Sequence, residues 1–267
     1  MKKQIAVTLA CALHVGLEAQ VAPRDSVKTY QAADVVVTAT RSEISEVDAP
    51  SPVDIVGPGR IQNVNGTSVA DALQAYSGLF VRDHGGGATL KNVTLRGSAT
   101  EHVLVLVDGN RYTNFQNGQV DFSLLRLDNV ERIEVLHGGS SALYGADALG
   151  GVINILTKPA ESNLGMRATA STGSYGYRRY AAGVQGGVSG MGLAAGYSDE
   201  RGTDNFPFTL SRPGLPDTSL VRSNADYRNE EAFVNGDIQP DERSSVRVSV
   251  QHILAMHGVP GGVAVPT

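Results

Sequence analysis

The sequence predicts two regions of different fold class: an α/β unit from about residue 50 to 158, and antiparallel β-strands from 159 to 267. Three observations predict this. A capped helix and near-continuous apolar runs share the first region. Apolar and polar residues alternate with a period of two in the second. Gly is abundant throughout, at 31 residues, whereas Trp is absent and Phe numbers 6. That composition favours turns and strands over a helical bundle.

The α/β region is built from short, well-punctuated pieces. Ser68-Val69-Ala70-Asp71 fits a capping box, and Ala72 to Tyr76 continues with apolar residues at helical spacing. Gly78 supplies the stop. Val93 to Arg96 is a short strand. His102 to Val107 is an almost unbroken apolar run, as expected of a strand buried on both faces. Asp108-Gly109 turns it toward Arg111-Tyr112. Val130 to Val135 is a further strand, Ser140 to Tyr144 at most a helical turn, and Gly151 to Leu156 the closing strand.

In the second region Met166, Ala168 and Ala170 alternate with Arg167, Thr169 and Ser171. Ala232, Val234, Gly236 and Ile238 alternate with Phe233, Asn235 and Asp237, where only Phe233 breaks the pattern. Val246, Val248 and Val250 alternate with Arg247, Ser249 and Gln251. Tyr175, Tyr177 and Tyr180 gather near a turn, where an interfacial aromatic girdle would lie. Two structures fit this period: a transmembrane barrel with lipid outside and water inside, or a soluble sheet with one wet face. Periodicity alone favours the soluble sheet, because the barrel signal per strand is weak.

The chain opens with a secretory pattern. Met1-Lys2-Lys3-Gln4 is a basic start, Ile5 to Leu13 a compact apolar run, and Leu17-Glu18-Ala19 a cleavage site before Gln20. Residues 1–19 are therefore set apart as a signal peptide that carries the protein to the cell envelope. It contains the single cysteine, Cys11, so no disulfide framework and no cysteine metal site is expected. No later apolar run is long enough for a spanning helix. From Gln20 to about residue 49 the chain is largely polar, with one apolar island at Asp34 to Arg41. Its valines suit a β-strand, either in the protein's own sheet or added to the sheet edge of a partner.

Several functions are excluded. A net charge of −5 argues against nucleic-acid binding. Glu131 and Glu134, three apart on a strand, point to opposite faces and make no glycosidase pair. The histidines lack metal spacing, and Ser140-Ser141 lacks a nucleophile elbow. The glycines at 138–139, 145 and 150–151 serve backbone geometry; no Lys-Ser or Lys-Thr follows to make a phosphate loop. No catalysis, cofactor or metal site is predicted.

Four stretches, in order, resemble the TonB-dependent outer-membrane receptor family. They are Asp34 to Ala39; Val69 to Leu73 running to Ser77-Gly78-Leu79-Phe80-Val81; Thr94-Leu95-Arg96-Gly97 with Val105 to Gly109; and Val130 to Val135 leading to Ser140 to Gly145 and Gly150 to Ile155. The last run is the most specific. His257 to Gly261 is similar to an early barrel segment of the vitamin B12 and catecholate-siderophore branch.

The resemblance implies an α/β plug domain followed by antiparallel transmembrane β-barrel strands, the family barrel being 22-stranded. Residues 20–49 would hold the TonB box, 50–158 the plug, and 159–267 the first part of the barrel. The last stretch has room for about five spanning strands of about 9–11 residues. A fragment of a receptor is therefore expected, lying in the outer membrane of a Gram-negative cell. Asp34, Val35, Val36, Val37, Thr38 and Ala39 would join a TonB-type energy-coupling protein as an added strand. Arg96 and Arg132 match plug arginines that pair with glutamates on the barrel wall. Those glutamates belong to later strands, and Glu131 and Glu134 are possible local partners. Asn114, Gln116 and Asn117 would face a small-molecule ligand from outward loops. Expected cargo is an iron–siderophore complex first, then vitamin B12 or haem. The alternative is a soluble periplasmic plug-like binding module.

Overall fold

Strand β6 (Val103–Val107) and strand β9 (Gly151–Thr157) run parallel at the heart of a five-stranded sheet ordered β3-β8-β9-β6-β7. Its other strands are β3 (Val53–Val56), β7 (Asn110–Arg111) and β8 (Val130–His137), joined by antiparallel pairings. The computed structural model describes residues 36–37, 44–45, 49, 51–76, 78–85, 89–114, 118–138, 140–160, 163–241 and 243–260. Strands β1 (Val36–Val37) and β2 (Ile44–Ser45) form a separate two-residue ladder. The proposed signal peptide lies outside the described residues.

Apolar side chains cover this sheet on both faces, which explains the unbroken runs in β6 and β9. One face packs Val105, Ile133, Val135, Ile153 and Ile155 against Val69 and Leu73. The other packs Leu104, Leu106, Leu136 and Val152 against Tyr144 and Ala148. The helices are short: α1 is Pro58–Ile61, α2 Val69–Leu73 and α3 Ser141–Tyr144. Helix α2 carries the expected capping box: Asp71 N donates to Ser68 Oγ, and Ser68 N donates to Asp71 Oδ2. It stops at Leu73, short of Tyr76. A hairpin of β4 (Leu79–Asp83) and β5 (Lys91–Leu95) flanks it. Arg96, expected to end a strand, instead sits at φ 48° just beyond β5, starting the turn into Gly97.

The second sheet is a meander, β10-β11-β12-β15-β16, antiparallel at every step. Its strands are β10 (Gly165–Thr172), β11 (Arg178–Val188), β12 (Met191–Gly202), β15 (Tyr227–Asp241) and β16 (Ser244–His257). A small hairpin, β13 (Pro207–Leu210) with β14 (Thr218–Val221), lies in the long connection between β12 and β15. The five strands fill the room the residue count allowed. They form a sheet resembling barrel strands; no closed barrel is present among the described residues.

The two faces of this sheet differ sharply. Register places Val184, Ala195, Val234 and Val250 side by side on one face, with Met191, Ile238 and Val246 nearer one end. The large side chains of this face are exposed. The opposite face presents Arg179, Glu200, Glu231, Asn235 and Asp237 toward the α/β unit. Phe233 also points there, 8% exposed. Its ring fits over Gly196, where a Cβ would come within 2.4 Å of the ring. The residue that breaks the alternation is therefore an inward packing group.

Candidate functional site: the contact between the α/β unit and the meander

The α/β unit meets the meander mainly through one turn. Residues 124–129 lead into β8, with Leu127–Asn129 a single 3-10 turn. Val69 N donates to Leu125 O at 2.7 Å and Leu127 N to Thr67 O at 2.9 Å, so this turn is laced to the start of α2. Arg126, Asp128 and Asn129 then reach three different strands of the meander.

Arg126 is buried and donates from Nη2 to Glu200 Oε2 of β12 at 2.5 Å, with Nη1 3.4 Å from Oε1. Burial works against the charged guanidinium, but the Glu200 carboxylate outweighs it and holds the Arg126 pKa above its ordinary value. Asp128 pairs with Arg179 of β11, whose Nε is also 3.7 Å from Glu200. Asn129 Oδ1 accepts from Asn235 Nδ2 of β15 at 2.6 Å. The same amide group donates to Lys158 O at 3.0 Å, and Ser249 Oγ of β16 donates to Asn235 Oδ1.

The connection between the two sheets is tied down as well. Ala160 N donates to Asp237 Oδ2 at 2.7 Å, and Arg247 Nε donates to Asp237 Oδ1 at 2.6 Å. Lys158 Nζ donates to Asp128 O at 2.7 Å. Burial lowers the Lys158 pKa. Beside these contacts a cleft of ≈ 590 Å³ separates the turn at Gly66-Thr67 and Leu127 from β10–β12.

Within the α/β unit Lys91 Nζ of β5 meets Asp71 Oδ1 of α2 at 2.6 Å, both largely buried. Burial raises the Asp71 pKa, but Lys91 and Ser68 together bring it below the usual carboxylate range. Asp108 accepts from Thr157 N at 2.9 Å and Thr157 Oγ1 at 2.7 Å, closing the β6–β7 turn onto β9.

The structure separates the predicted site residues. Arg132 pairs with Glu134 of its own strand at 3.0 Å, the local partner considered from sequence. Glu134 is fully buried. Arg96 is exposed, and its backbone N donates to Gly78 O at 2.7 Å. Arg96 has no ion pair with the meander among the described residues. Val36 pairs with Ser45 and Val37 with Ile44 of the same chain. Asp34, Val35, Thr38 and Ala39 lie outside the described residues, as do Gln116 and Asn117. Asn114 is exposed and its carbonyl accepts from Gly118 N at 2.8 Å. Sequence reasoning missed Arg126, Asp128, Asn129, Arg179, Glu200 and Asn235. Asn235 stands at a polar position of the two-residue period, a signal that was available, whereas Arg179 and Glu200 lie where charged residues follow one another and the period gives no face. Arg126 lies in no periodic segment and gave none.

A small α/β domain seated on the polar face of a meander whose other face is apolar is the architecture of plugged outer-membrane receptors. The family described as TonB-dependent Receptor Plug Domain matches residues 45–152. The chain carries a TonB-dependent outer-membrane receptor plug domain, related to the branch of vitamin B12 transporters and siderophore receptors. It is 35% identical over 186 residues to the vitamin B12 transporter BtuB of Vibrio cholerae, covering 68% of this chain and 30% of that protein. It is 34% identical over 194 residues to BtuB of Photobacterium profundum, covering 70% and 32%. The chain thus spans about a third of the length of these relatives. Among solved structures, the ferripyoverdine receptor of the outer membrane of Pseudomonas aeruginosa superposes with a TM-score of 0.66 at 16% identity, covering 81% of this chain and 27% of that one. The ferric citrate transporter FecA superposes at 0.64 with 21% identity, covering 81% and 33%. These two likenesses concern the fold. Outer-membrane localisation is typical of the family.

Proposed function

We propose that the chain works within an energy-coupled outer-membrane transporter for a scarce nutrient, cobalamin or an iron–siderophore complex, by transport and without catalysis. The observation that carries this reading is the seating of Arg126, Asp128 and Asn129 on the polar face of a sheet whose far face is apolar. A soluble protein rarely exposes a contiguous apolar patch beyond a few hundred Å². Lipid against that face and closure of the wall into a full barrel account for it, since the bilayer core tolerates no open sheet edge. In this reading residues 1–19 are the signal peptide, 20–49 the tether, 50–158 the plug and 159–267 wall.

Asp34 to Ala39 would be gripped by a TonB-type partner as an added strand, main-chain hydrogen bonds giving the hold. Pulling would first release the β1–β2 ladder, only two residues long, and then load the plug. The cleft beside Leu127 is a gap that a shift of the plug would widen. Arg96 and Arg132 would meet carboxylates on further wall strands. Asn114, Gln116 and Asn117 would face the cargo. The names of the relatives favour cobalamin.

Uptake of labelled cyanocobalamin and of ferric siderophores into cells lacking their own receptors tests the reading. Cells expressing the gene should accumulate one of these cargoes, and a Val36→Pro variant, which loses a backbone donor, should accumulate about ten-fold less. Protein recovered only from the periplasmic soluble fraction would overturn the transporter and favour a soluble binding module.

A further inference from the structure

The outward, apolar face of the meander ends in a row of arginines. Register places Arg178 of β11 opposite Arg201 of β12, and Arg201 opposite Arg228 of β15. Three guanidinium groups therefore stand side by side across three neighbouring strands. Like charges directly opposite each other destabilise a sheet unless something neutralises them. The next row down supplies two carboxylates. Asp199 Oδ1 accepts from Arg201 Nε at 2.7 Å and Asp199 Oδ2 from Arg228 Nε at 3.2 Å, while Glu230 pairs with Arg228. Arg178 is exposed and has no carboxylate partner among the described residues. One positive charge of the row stays uncompensated.

The position of the row identifies its surroundings. Tyr180 and Tyr197, both exposed, lie just below it on the same face, and the apolar band continues down to Met191. The ten-residue step from Met191 to Arg201, at about 3.4 Å per residue and a tilt of about 40°, spans about 26 Å, close to the band of about 25 Å on outer-membrane barrels. The arginines therefore sit at a headgroup boundary. The connections distinguish the two boundaries. At the Met191 end the strands are joined through residues 189–190 and 242–243 alone. At the arginine end the links are residues 173–177 and the much longer 203–226, which carries the β13–β14 hairpin. Long loops mark the outer side of such walls and short turns the periplasmic side.

We propose that Arg178, Arg201 and Arg228 form an outward-facing site for the phosphates of a phosphorylated glycolipid of the outer leaflet, its acyl chains lying on the apolar face below. Guanidinium groups suit phosphate because their fork donates two parallel hydrogen bonds. A phosphate placed over Arg178 supplies the missing countercharge and screens the row. The site rests on the membrane-wall reading above.

The test uses the full-length protein in phosphatidylcholine vesicles doped with bis-phosphorylated lipid A, dephosphorylated lipid A or phosphatidylglycerol. Retention of the doped lipid is read by mass spectrometry of the re-isolated protein. Wild-type protein should hold bis-phosphorylated lipid A about ten-fold more tightly than the R178Q/R201Q/R228Q variant. Arg178→Gln alone, at an exposed position with no ion pair to lose, should weaken binding about three-fold, and the triple Arg→Lys variant should retain part of it. Dephosphorylated lipid A and phosphatidylglycerol should bind wild-type protein no better than the triple Gln variant binds lipid A. Wild-type protein that floats with the vesicles yet holds phosphorylated and dephosphorylated lipid A equally would overturn the site and leave the wall reading intact. Preference for phosphatidylglycerol would overturn it as well. Protein that does not float with vesicles at all would overturn both.

Discussion

Arg126 and Glu200, 74 positions apart in the chain, form a buried ion pair that joins the plug turn to the second half of β12. Each side chain is less than 5% exposed. A pair of this kind gains little over an apolar contact when whole, but is costly to break, because the remaining charge has no water to turn to.

Arg126→Ala should therefore destabilise the seated plug by about 3–5 kcal/mol, the cost of an uncompensated buried charge. Arg126→Met combined with Glu200→Gln should cost much less than either change alone. A double-mutant cycle on plug hydrogen exchange in detergent micelles measures the coupling. Additive costs would show that the two groups do not act as a pair.

Asp71 supplies a pH dependence with a definite sign. Its folded-state pKa lies below the ordinary value, since the Lys91 and Ser68 contacts outweigh burial. Its contribution to stability is therefore fully present above the unfolded carboxyl value of about 3.9 and is lost as pH falls through the lower folded value. Wild-type plug should lose stability below about pH 4 more steeply than an Asp71→Asn variant. The protein has no Trp, so circular dichroism or hydrogen exchange between pH 2 and 6 is the suitable measurement. Parallel acid limbs would rule the Asp71 contribution out.

Gly151 opens β9 at φ 147°, where a Cβ would lie 2.4 Å from Leu136 O and 2.9 Å from Leu95 Cδ1. The first of these is backbone and cannot yield cheaply. Gly151→Ala should cost the plug about 2–4 kcal/mol through strain and displacement of β8. Gly138→Ala, with a φ of 97° but open space for a Cβ, should cost about 1–2 kcal/mol from backbone strain alone. Urea midpoints of the two variants compare the effects. Equal midpoints would mean that β8 and β9 are not held this closely.

The two faces of the meander should respond oppositely to charge. Val234 sits centrally on the apolar face, with Ala195 and Val250 beside it. Val234→Arg should destabilise bilayer-inserted protein by about 2–4 kcal/mol, the cost of an arginine near the bilayer midplane. Gln251→Arg, on the polar face opposite Phe233, should cost less than about 1 kcal/mol. Urea titration of folding into vesicles measures both. Similar costs at the two sites would argue that the apolar face does not meet lipid.

Local chemistry made much of the fold legible in sequence. Ser68 and Asp71 cap α2 because their side chains satisfy backbone donors only three residues away. The valine and isoleucine runs of β6 and β9 declare burial on both faces, and the two-residue period after residue 158 declares a sheet with unlike faces. Such signals depend on near neighbours, so one sequence suffices to read them. Arg132 with Glu134, two positions apart, was visible for the same reason.

What only the tertiary structure decided is which charges meet across the two units. Arg126 finds Glu200, Asp128 finds Arg179 and Asn129 finds Asn235 because the turn before β8 is laid against the meander by long-range packing. No spacing in the chain encodes that approach. The inward destiny of Phe233 was likewise hidden, since alternation assigns a face but not the partner that makes an apolar group welcome on a polar one. By itself the sequence determined the two kinds of region, their strands and their polarity. The seating of one on the other rests on contacts between residues far apart in the chain, whose free energy exists only once both surfaces are formed.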